Sequence, residues 1–177
     1  IIVPDTSKPD GFEVDQAFVD WTQKEGNLSA RIGRQYVRTG RGLVLSADLD
    51  GAGVTWADPE WKHRVLVGHS VDRDANVDTS LVGFDQGTQE RTFYLGESTW
   101  HSTSGDEVYG FGLVQHDESR SRDATQSALD FHYQSWYLGL GAQGRFKPQL
   151  HYYGELVYQG GSSLAVGAPA QRVDIDA

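Results

Sequence analysis

Several features that often identify a protein's class are missing from this chain of 177 residues. It contains no cysteine, so neither a disulfide scaffold nor a cysteine-based metal site can form. It contains no methionine and begins Ile1-Ile2-Val3-Pro4, from which we expect a mature form or a fragment without its signal segment. No apolar run approaches the roughly 20 residues that a membrane-spanning helix requires.

Positive charge is also scarce. Fifteen Lys and Arg stand against 25 Asp and Glu, so the formal net charge is −10. No long basic patch is present, and nucleic acid is therefore not expected as a partner. The mean hydropathy of −0.50 would normally favour a soluble protein. A β-barrel with a polar lumen reaches similar values because only alternate residues face lipid, so hydropathy leaves both classes open.

What the sequence contains in abundance is alternation of polar and apolar residues with a period of two. In the segment 149–159, one face would carry Leu150, Tyr152, Leu156 and Tyr158, and the other His151, Glu155 and Gln159. Such alternation predicts half-buried β-strands, and the 21 glycines would weaken any helix. We expect eight strands, at residues 13–23, 28–38, 52–57, 60–71, 90–101, 107–117, 126–141 and 149–159, and the start of a ninth at Arg172. A change of parity near Ser135-Trp136 suggests a bulge in the seventh.

The connections between these segments alternate in length. Short turns fall at 24–27, 58–59, 102–106 and 144–148, and longer polar stretches at 39–51, 72–89, 118–125 and 160–171. Outer-membrane barrels have short periplasmic turns and long extracellular loops, an order that a soluble sandwich has no reason to keep. The pattern predicts an all-β fold, an antiparallel up-and-down transmembrane β-barrel, with residues 1–177 in a single domain.

Large aromatic residues supply a weaker indication of the same fold. Five of them lie toward expected strand ends: Trp21, Trp56, Trp61, Trp100 and Tyr158. An interfacial girdle of aromatic side chains would lie at such positions in a membrane barrel. Ordinary sheet cores are enriched in the same residues, so this observation does not decide between the two classes by itself.

Three short motifs follow one another near the second and third strands. Gly33-Arg34-Gln35 lies near the end of one strand, Gly40-Arg41-Gly42 follows, and Asp50-Gly51-Ala52-Gly53-Val54 opens the next. This order resembles the alginate-export family of bacterial outer-membrane porins, over roughly residues 13–177. The resemblance implies a barrel of roughly 18 strands, of which this chain would supply about half, with a positively charged lumen that passes an anionic polysaccharide. It also implies a site in the outer membrane, in contact with lipopolysaccharide.

Charged residues on expected strand faces provide candidates for the lumen. If one face lines a pore, the candidates for the solute path are Arg31, Gln35, Lys62, Arg64, His151 and Glu155, and the candidates for the rim are Arg34, Arg38 and Arg41. Lumen cations would attract carboxylates and raise their local concentration, and arginine can bind a carboxylate through two hydrogen bonds. Alternatively, the cations form cross-strand pairs with Asp20, Glu97 or Glu155.

Other groups of residues give weaker indications of a metal-binding or catalytic site. Oxygen-bearing side chains at alternate positions suggest a calcium loop: Asp72, Asp74, Asn76 and Asp78. The glycine and the bidentate glutamate of such a loop are replaced by Val77 and Gly83, so a solvated acidic loop is the alternative. His132 and His151 could meet inside a barrel, either as a zinc site or as hydrogen-bonded lumen residues. Asp130 and Glu155 could mimic the carboxylate pair of a glycosidase. No catalytic motif or cofactor fingerprint is present, so neither an enzyme nor a cofactor is expected.

The sequence therefore predicts an outer-membrane porin or export channel that passes an anionic, alginate-like polysaccharide or small solutes by diffusion. Expected partners are the lipid bilayer, the solute itself, and periplasmic or envelope proteins. The alternative is a soluble β-sandwich that binds or hydrolyses carbohydrate. A structural or adhesion module would require an internal repeat, and we find no fixed period.

Overall fold

The computed structural model describes residues 14–24, 26–71, 90–117, 134–147, 149–165 and 171–176. Nine strands form one antiparallel sheet in which each strand pairs with its neighbours in sequence. The strands are β1 (Ala17–Thr22), β2 (Leu28–Arg38), β3 (Ser46–Ala57), β4 (Trp61–Ser70), β5 (Arg91–His101), β6 (Glu107–Asp117), β7 (Gln134–Lys147), β8 (Leu150–Ala165) and β9 (Gln171–Asp176). The predicted all-β, up-and-down antiparallel arrangement is confirmed.

The observed strand boundaries agree with the predicted ones for some strands and differ for others. β2 and β6 have the predicted bounds. β3 begins at Ser46, because Ser46 pairs with Arg38 directly across the hairpin, so the predicted long loop at 39–51 is wrong. β8 continues to Ala165, which leaves only 166–170 before β9, so the predicted long loop at 160–171 is wrong. Pairing of β7 with β8 is regular through Ser135 and shifts instead between Arg145 and Lys147.

In the pairing register, each hairpin extends two residues farther in the strand direction than the preceding hairpin. Ser29 closes the first hairpin and pairs with Thr55, yet the second hairpin continues by two residues to Ala57. The same step recurs in the next two hairpins; the last regular pairs of all four are Thr22–Ser29, Ala57–Lys62, His101–Glu107 and Arg145–His151. A hairpin contains two strands, so the shift is one residue, about 3.4 Å, per strand. With a spacing of about 4.8 Å between strands, this shift corresponds to a strand tilt of about 35°, which is the stagger that barrel closure requires.

The sheet is strongly curved. β2 and β8 lie six spacings apart in the sheet order, which would be about 29 Å in a flat sheet. Arg41 is three residues beyond the end of β2, so its backbone nitrogen can reach only about 11 Å from that end. It nevertheless donates a hydrogen bond of 2.8 Å to Glu155 in β8. A glutamate side chain is too short to span the difference, and the sheet must therefore curl around residue 41.

Curling gives the sheet two distinct faces. We call the concave side the inner face; it carries Arg64, Glu97 and Phe111 in neighbouring strands. The opposite side, with Ile32, Val65 and Leu156, is the outer face. A hydrophobic cluster lies on the inner face and includes Leu49, Leu66, Leu95 and Leu113. The core of this sheet is thus on its concave side.

Residues 39–45, which we call the crossing segment, connect β2 to β3 and lie over the inner face. Thr39 is fully buried and Leu45 is 4% exposed. Leu45 belongs to the hydrophobic cluster, together with Phe93 and Tyr109 from β5 and β6. The segment therefore packs as part of the core and covers the strands that follow it.

The sheet is open among the described residues. Neighbouring strands are paired from β1 to β9, but β1 and β9 do not pair with each other. All nine strands belong to this one sheet, so the described part of the chain does not contain the two packed sheets that a β-sandwich requires. It also contains no helix long and apolar enough to cross a membrane.

Candidate functional site: the inner face and its cavities

The six residues predicted for the solute path all lie on the inner face, since each occupies the same parity of its strand in the pairing register. A cavity of about 390 Å³ brings four of them together: Arg31, Gln35, Lys62 and Arg64. His151 lines a second cavity of about 360 Å³ with Arg145. Glu155 lies beneath the crossing segment. Their shared face agrees with the predicted alternation, and their role in transport stays a prediction.

Several arginines are committed to cross-strand ion pairs, as the alternative reading of the sequence expected. Arg31 donates two hydrogen bonds to Asp20, at 2.6 and 2.9 Å, and Arg64 pairs with Glu97 at 3.2 Å. On the outer face, Arg34 pairs with Asp50 through bonds of 2.9 and 2.8 Å. These contacts join neighbouring strands and hold the guanidinium groups in fixed positions.

Two carboxylates on distant strands hold the crossing segment. Glu97 in β5 accepts hydrogen bonds from the Thr39 hydroxyl at 2.9 Å and from the Gly40 backbone nitrogen at 3.3 Å. Glu155 in β8 accepts from the Arg41 backbone nitrogen at 2.8 Å and from the Tyr109 hydroxyl at 2.5 Å. The two carboxylates thus accept hydrogen bonds from the backbone of the crossing segment, and the segment is fixed between β5 and β8.

Gly40 is the residue that allows this close approach. Its φ of +49° is in the left-handed region, which side chains other than glycine adopt at a cost. A β-carbon at this position would meet the Glu155 carboxylate and the Phe111 ring. The Gly-Arg-Gly motif of the sequence therefore has a local structural reason.

Arg41 differs from its expected rim position. Its guanidinium carbon lies 4.7 Å from the centre of the Tyr153 ring, and the side chain donates a 3.2 Å hydrogen bond to Gln143. Because the crossing segment folds inward, it carries Arg41 over β7 and β8. Arg38, another rim candidate, is the last residue of β2 and lines a cavity beneath the same segment. Arg34 projects from the outer face of β2.

The cavity beneath the crossing segment has a volume of about 290 Å³. Four cations line it: Arg38, Arg41, Lys62 and Arg64. Its carboxylates are those of Glu97 and Glu107. Arg41, Glu107 and Gln143 also line the 360 Å³ cavity near the β7–β8 turn, so the two cavities adjoin along the inner face. The arrangement can hold polar, negatively charged groups in a partly enclosed space.

Sequence reasoning missed several residues of this site. Gln143 lies two residues beyond the predicted end of the seventh strand, because β7 continues to Lys147. Nothing local in the sequence indicates that Arg41 would contact Gln143 or Tyr153. Glu97 was considered only as an ion-pair partner, whereas it also binds the crossing segment. The proposed calcium residues Asp72, Asp74, Asn76 and Asp78, and also Asp130 and His132, lie outside the described residues. Within the described ranges no group of three potential metal ligands is present.

The outer face exposes at least one large apolar side chain on every strand from β1 to β8. Leu156 is 78% exposed, Ile32 63%, and both Val65 and Leu140 60%. They are adjacent through the pairing register, in which Val54 lies between Ala30 and Val65 and Leu140 faces Leu156. The face is therefore predominantly apolar, with Gly96 and Gly112 between Val65 and Leu138 and the Arg34–Asp50 pair on β2 and β3.

Aromatic and apolar residues follow the stagger of the hairpins on the outer face. Toward the short turns lie Trp21, Trp56, Trp61, Trp100, Phe146 and Leu150. Trp61 faces Trp100 directly, and the His63 ring stacks against Trp56 and Trp61 with centroids 5.3 and 5.6 Å away. Tyr158 is the exception to the predicted pattern, because β8 is longer than expected and Tyr158 lies at its middle.

The turn between β5 and β6 is organised by Asp106. Its carboxylate accepts hydrogen bonds from the Ser104 hydroxyl at 2.6 Å and the Tyr152 hydroxyl at 3.1 Å. These bonds favour the ionised form and hold the pKa of Asp106 below its ordinary value. The turn is thereby tied to the neighbouring β7–β8 hairpin.

Comparison with known proteins adds no assignment: neither a protein-family model nor a curated protein matches the sequence.

Proposed function

We propose that this sheet forms part of the wall of an outer-membrane β-barrel channel, with its outer face against lipid and its inner face lining the solute path. The observation that carries the proposal is the exposed apolar outer face, which ends at a belt of aromatic residues that follows the hairpin stagger. In water an exposed, predominantly apolar surface of this kind would favour association. In a membrane it is what lipid chains require.

The stagger supports the same proposal. A tilt of about 35° belongs to the range of closed barrels. In such a barrel, residues at the same depth in the membrane shift by one position along the strand from each strand to the next. The aromatic residues Trp21, Trp100 and Phe146 shift along their strands in the same direction. Aromatic side chains at one depth are typical of a membrane interface.

Closure is a further requirement of this proposal. Unpaired backbone groups at a sheet edge are costly in a hydrocarbon environment. The free edges of β1 and β9 would therefore pair with additional strands in the membrane. This agrees with the expectation that the chain supplies about half of a barrel of the alginate-export type.

For the solute we propose an anionic saccharide, alginate-like, or another small anion. Four cations line the cavity beneath the crossing segment, against two carboxylates, although the chain as a whole is strongly acidic. A locally positive lumen raises the concentration of anions without covalent chemistry. We infer diffusion through the lumen, lipopolysaccharide and phospholipid as the surroundings, and periplasmic or envelope proteins as further partners.

Membrane fractionation tests the location first. We expect the protein in the outer-membrane pellet, soluble only in detergent, and with a gel mobility that changes on heating. Recovery in the soluble fraction would contradict the proposal.

Planar-bilayer recording tests the function. The purified protein should give a conductance that polyuronate oligomers block at lower concentration than uncharged glycans of equal length. Equal block by both would exclude anion selectivity, and the absence of any conductance would exclude the channel.

A further inference from the structure

The outer face changes from apolar to polar along a straight line across the sheet. Residues of one pairing register form this line, which we call the polar row; it runs from Arg34 in β2 to Ser162 in β8 and includes Asp50, His69, Thr92 and His116. The short turns follow the hairpin stagger instead. Arg34 lies five residues beyond Ser29, whereas Ser162 lies eleven residues beyond His151. The apolar part of the outer face is therefore much narrower at β2 than at β8.

This narrowing places charged side chains within the depth of the hydrocarbon layer. In strands tilted by about 35°, each residue adds about 2.8 Å of height. Ser162 then lies about 31 Å above the hairpin end, beyond the apolar band of about 25 Å that such barrels present to lipid, whereas Arg34 lies only about 14 Å above it. An arginine that faces lipid at that depth is unfavourable, so bulk lipid is a poor match for the outer face of β2 and β3.

Four charged residues on the outward part of β2 and β3 form what we call the charged patch: Arg34, Arg38, Asp48 and Asp50, all of outer-face parity. Arg38, the last residue of β2, follows this alternation although it also borders the cavity beneath the crossing segment. Arg34 and Asp50 pair at 2.8 Å. The side chains of Arg38 and Asp48 make no hydrogen bond or ion pair with any residue that the structure describes, and Oδ1 of Asp48 is buried. The patch thus leaves one cation and one anion without partners.

We propose that a second copy of this chain covers the charged patch, through a two-fold axis that is parallel to the membrane normal and passes between β2 and β3. Arg38 lies nine residues from Ser29, and Asp48 nine residues from Ala57, at the hairpin ends of their strands. The stagger therefore places both side chains at the same depth to within about 3 Å. An axis of this direction preserves depth, so Arg38 of each copy faces Asp48 of the other, and two equivalent ion pairs form.

The surface between the charged patch and the short turns also suits contact between two copies. An apolar cavity of about 770 Å³ lies there, and its lining includes the small outer-face residues Ala30 and Ala52 beside Ile32 and Val54. Small residues allow chains to approach closely within a membrane. The interface would then combine an apolar centre with a charged rim.

A lipid phosphate matches the charged patch less well than a second copy does. It could bind Arg38, but it would bring further negative charge beside Asp48 and Asp50, and like charges in contact are unfavourable. Asp48 would also remain without a cation. A second copy brings both signs of charge to the patch, and the two unpartnered groups are then satisfied together.

The test compares Arg38→Glu, Asp48→Lys and a co-expressed mixture of the two, with Lys147→Glu at the end of β7 as the control for net charge. Differently tagged copies of the intact protein are extracted from the outer membrane in detergent, and their co-purification and molecular mass are measured. We expect the unmodified protein to be a dimer, and either single variant to raise its dissociation constant about tenfold or more. In the mixed dimer one original and one reversed ion pair form, so co-purification should return to the level of the unmodified protein.

The inference rests on the proposed function, because both copies must share one membrane, but the two fail differently. A monomeric, heat-modifiable protein in the outer membrane would overturn the inference and leave the channel intact. Lipopolysaccharide bound to that monomer and lost in Arg38→Glu would assign the patch to a lipid phosphate instead. A mixture as defective as the single variants, or an equal effect of Lys147→Glu, would also overturn the inference. Recovery in the soluble fraction would contradict the proposed function itself.

Discussion

Replacing Gly40 with alanine perturbs the contact between the crossing segment and the inner face. The left-handed φ of +49° costs a residue with a β-carbon about 1–2 kcal/mol. The new β-carbon would also lie 3.0 Å from the Phe111 ring and against the Glu155 carboxylate, and overpacking of this kind costs about 1–3 kcal/mol. Together we expect the free energy of unfolding to fall by about 2–5 kcal/mol, unless the segment detaches first.

The matched control is Gly105→Ala. Gly105 has a φ of +86°, and a β-carbon there would have no atom within 4 Å, so only the backbone term of about 1–2 kcal/mol applies. Urea titration of both variants in lipid vesicles, followed by tryptophan fluorescence, measures the difference. Detachment of the segment would appear as a smaller loss of stability together with a larger single-channel conductance. Equal losses in the two variants, with unchanged conductance, would refute the described contact.

Three further variants address the packing, the membrane face and the turn. Gly139→Ala would place a β-carbon against an aromatic ring of β6, whereas the β-carbon of Gly96→Ala, the control, would have no atom within 4 Å. We expect the free energy of unfolding to fall by about 1–3 kcal/mol only in Gly139→Ala. Equal urea midpoints of the two variants would contradict this. Leu156→Arg should lower the free energy of unfolding in vesicles by about 2–4 kcal/mol. Thr99→Arg, on the inner face, is the control and should lower it less. Improved aqueous solubility of Leu156→Arg without loss of folding would argue against a lipid-facing surface. The pKa of Asp106 is lowered in the folded protein. Its stabilising contribution is therefore present above the ordinary carboxyl pKa of about 3.9 and is lost as the pH falls through the lower folded pKa. Asp106→Asn should remove this pH dependence from urea midpoints measured between pH 7 and pH 3, and identical pH profiles of the two proteins would contradict this prediction.

The strands were predictable where the local pattern was continuous. β2 and β6 alternate over much of their length, at 28–32 and 109–113, and their predicted bounds agree with the structure. The first part of β3 was missed because Asp48 and Asp50 resemble loop residues when the sequence is considered alone. Asp50 is accommodated in the strand because Arg34 lies directly opposite and pairs with it. Strand formation there depends on the neighbouring strand.

The inward course of the crossing segment was not predictable. Its Gly-Arg-Gly motif indicates a turn but does not specify the side of the sheet on which the turn lies. That direction depends on Glu97, 57 residues from Gly40, and on Glu155, 114 residues from Arg41. The contacts of Arg41 with Gln143 and Tyr153 follow from it. Alternation assigned Lys62 and Arg64 correctly to one face, but it did not specify which of the candidate carboxylates would pair with Arg64.

Labelling of single-cysteine variants tests the orientation of the two faces most directly, and the absence of native cysteine makes each label unique. Spin labels at Leu138→Cys, Leu140→Cys and Leu156→Cys would probe the outer face, and those at Thr99→Cys and Gln143→Cys the inner face. In lipid vesicles we predict that outer-face labels collide with lipid-soluble oxygen and are protected from a water-soluble nickel chelate, with the reverse for the inner face. Access of the nickel chelate to all three outer-face labels would contradict the account.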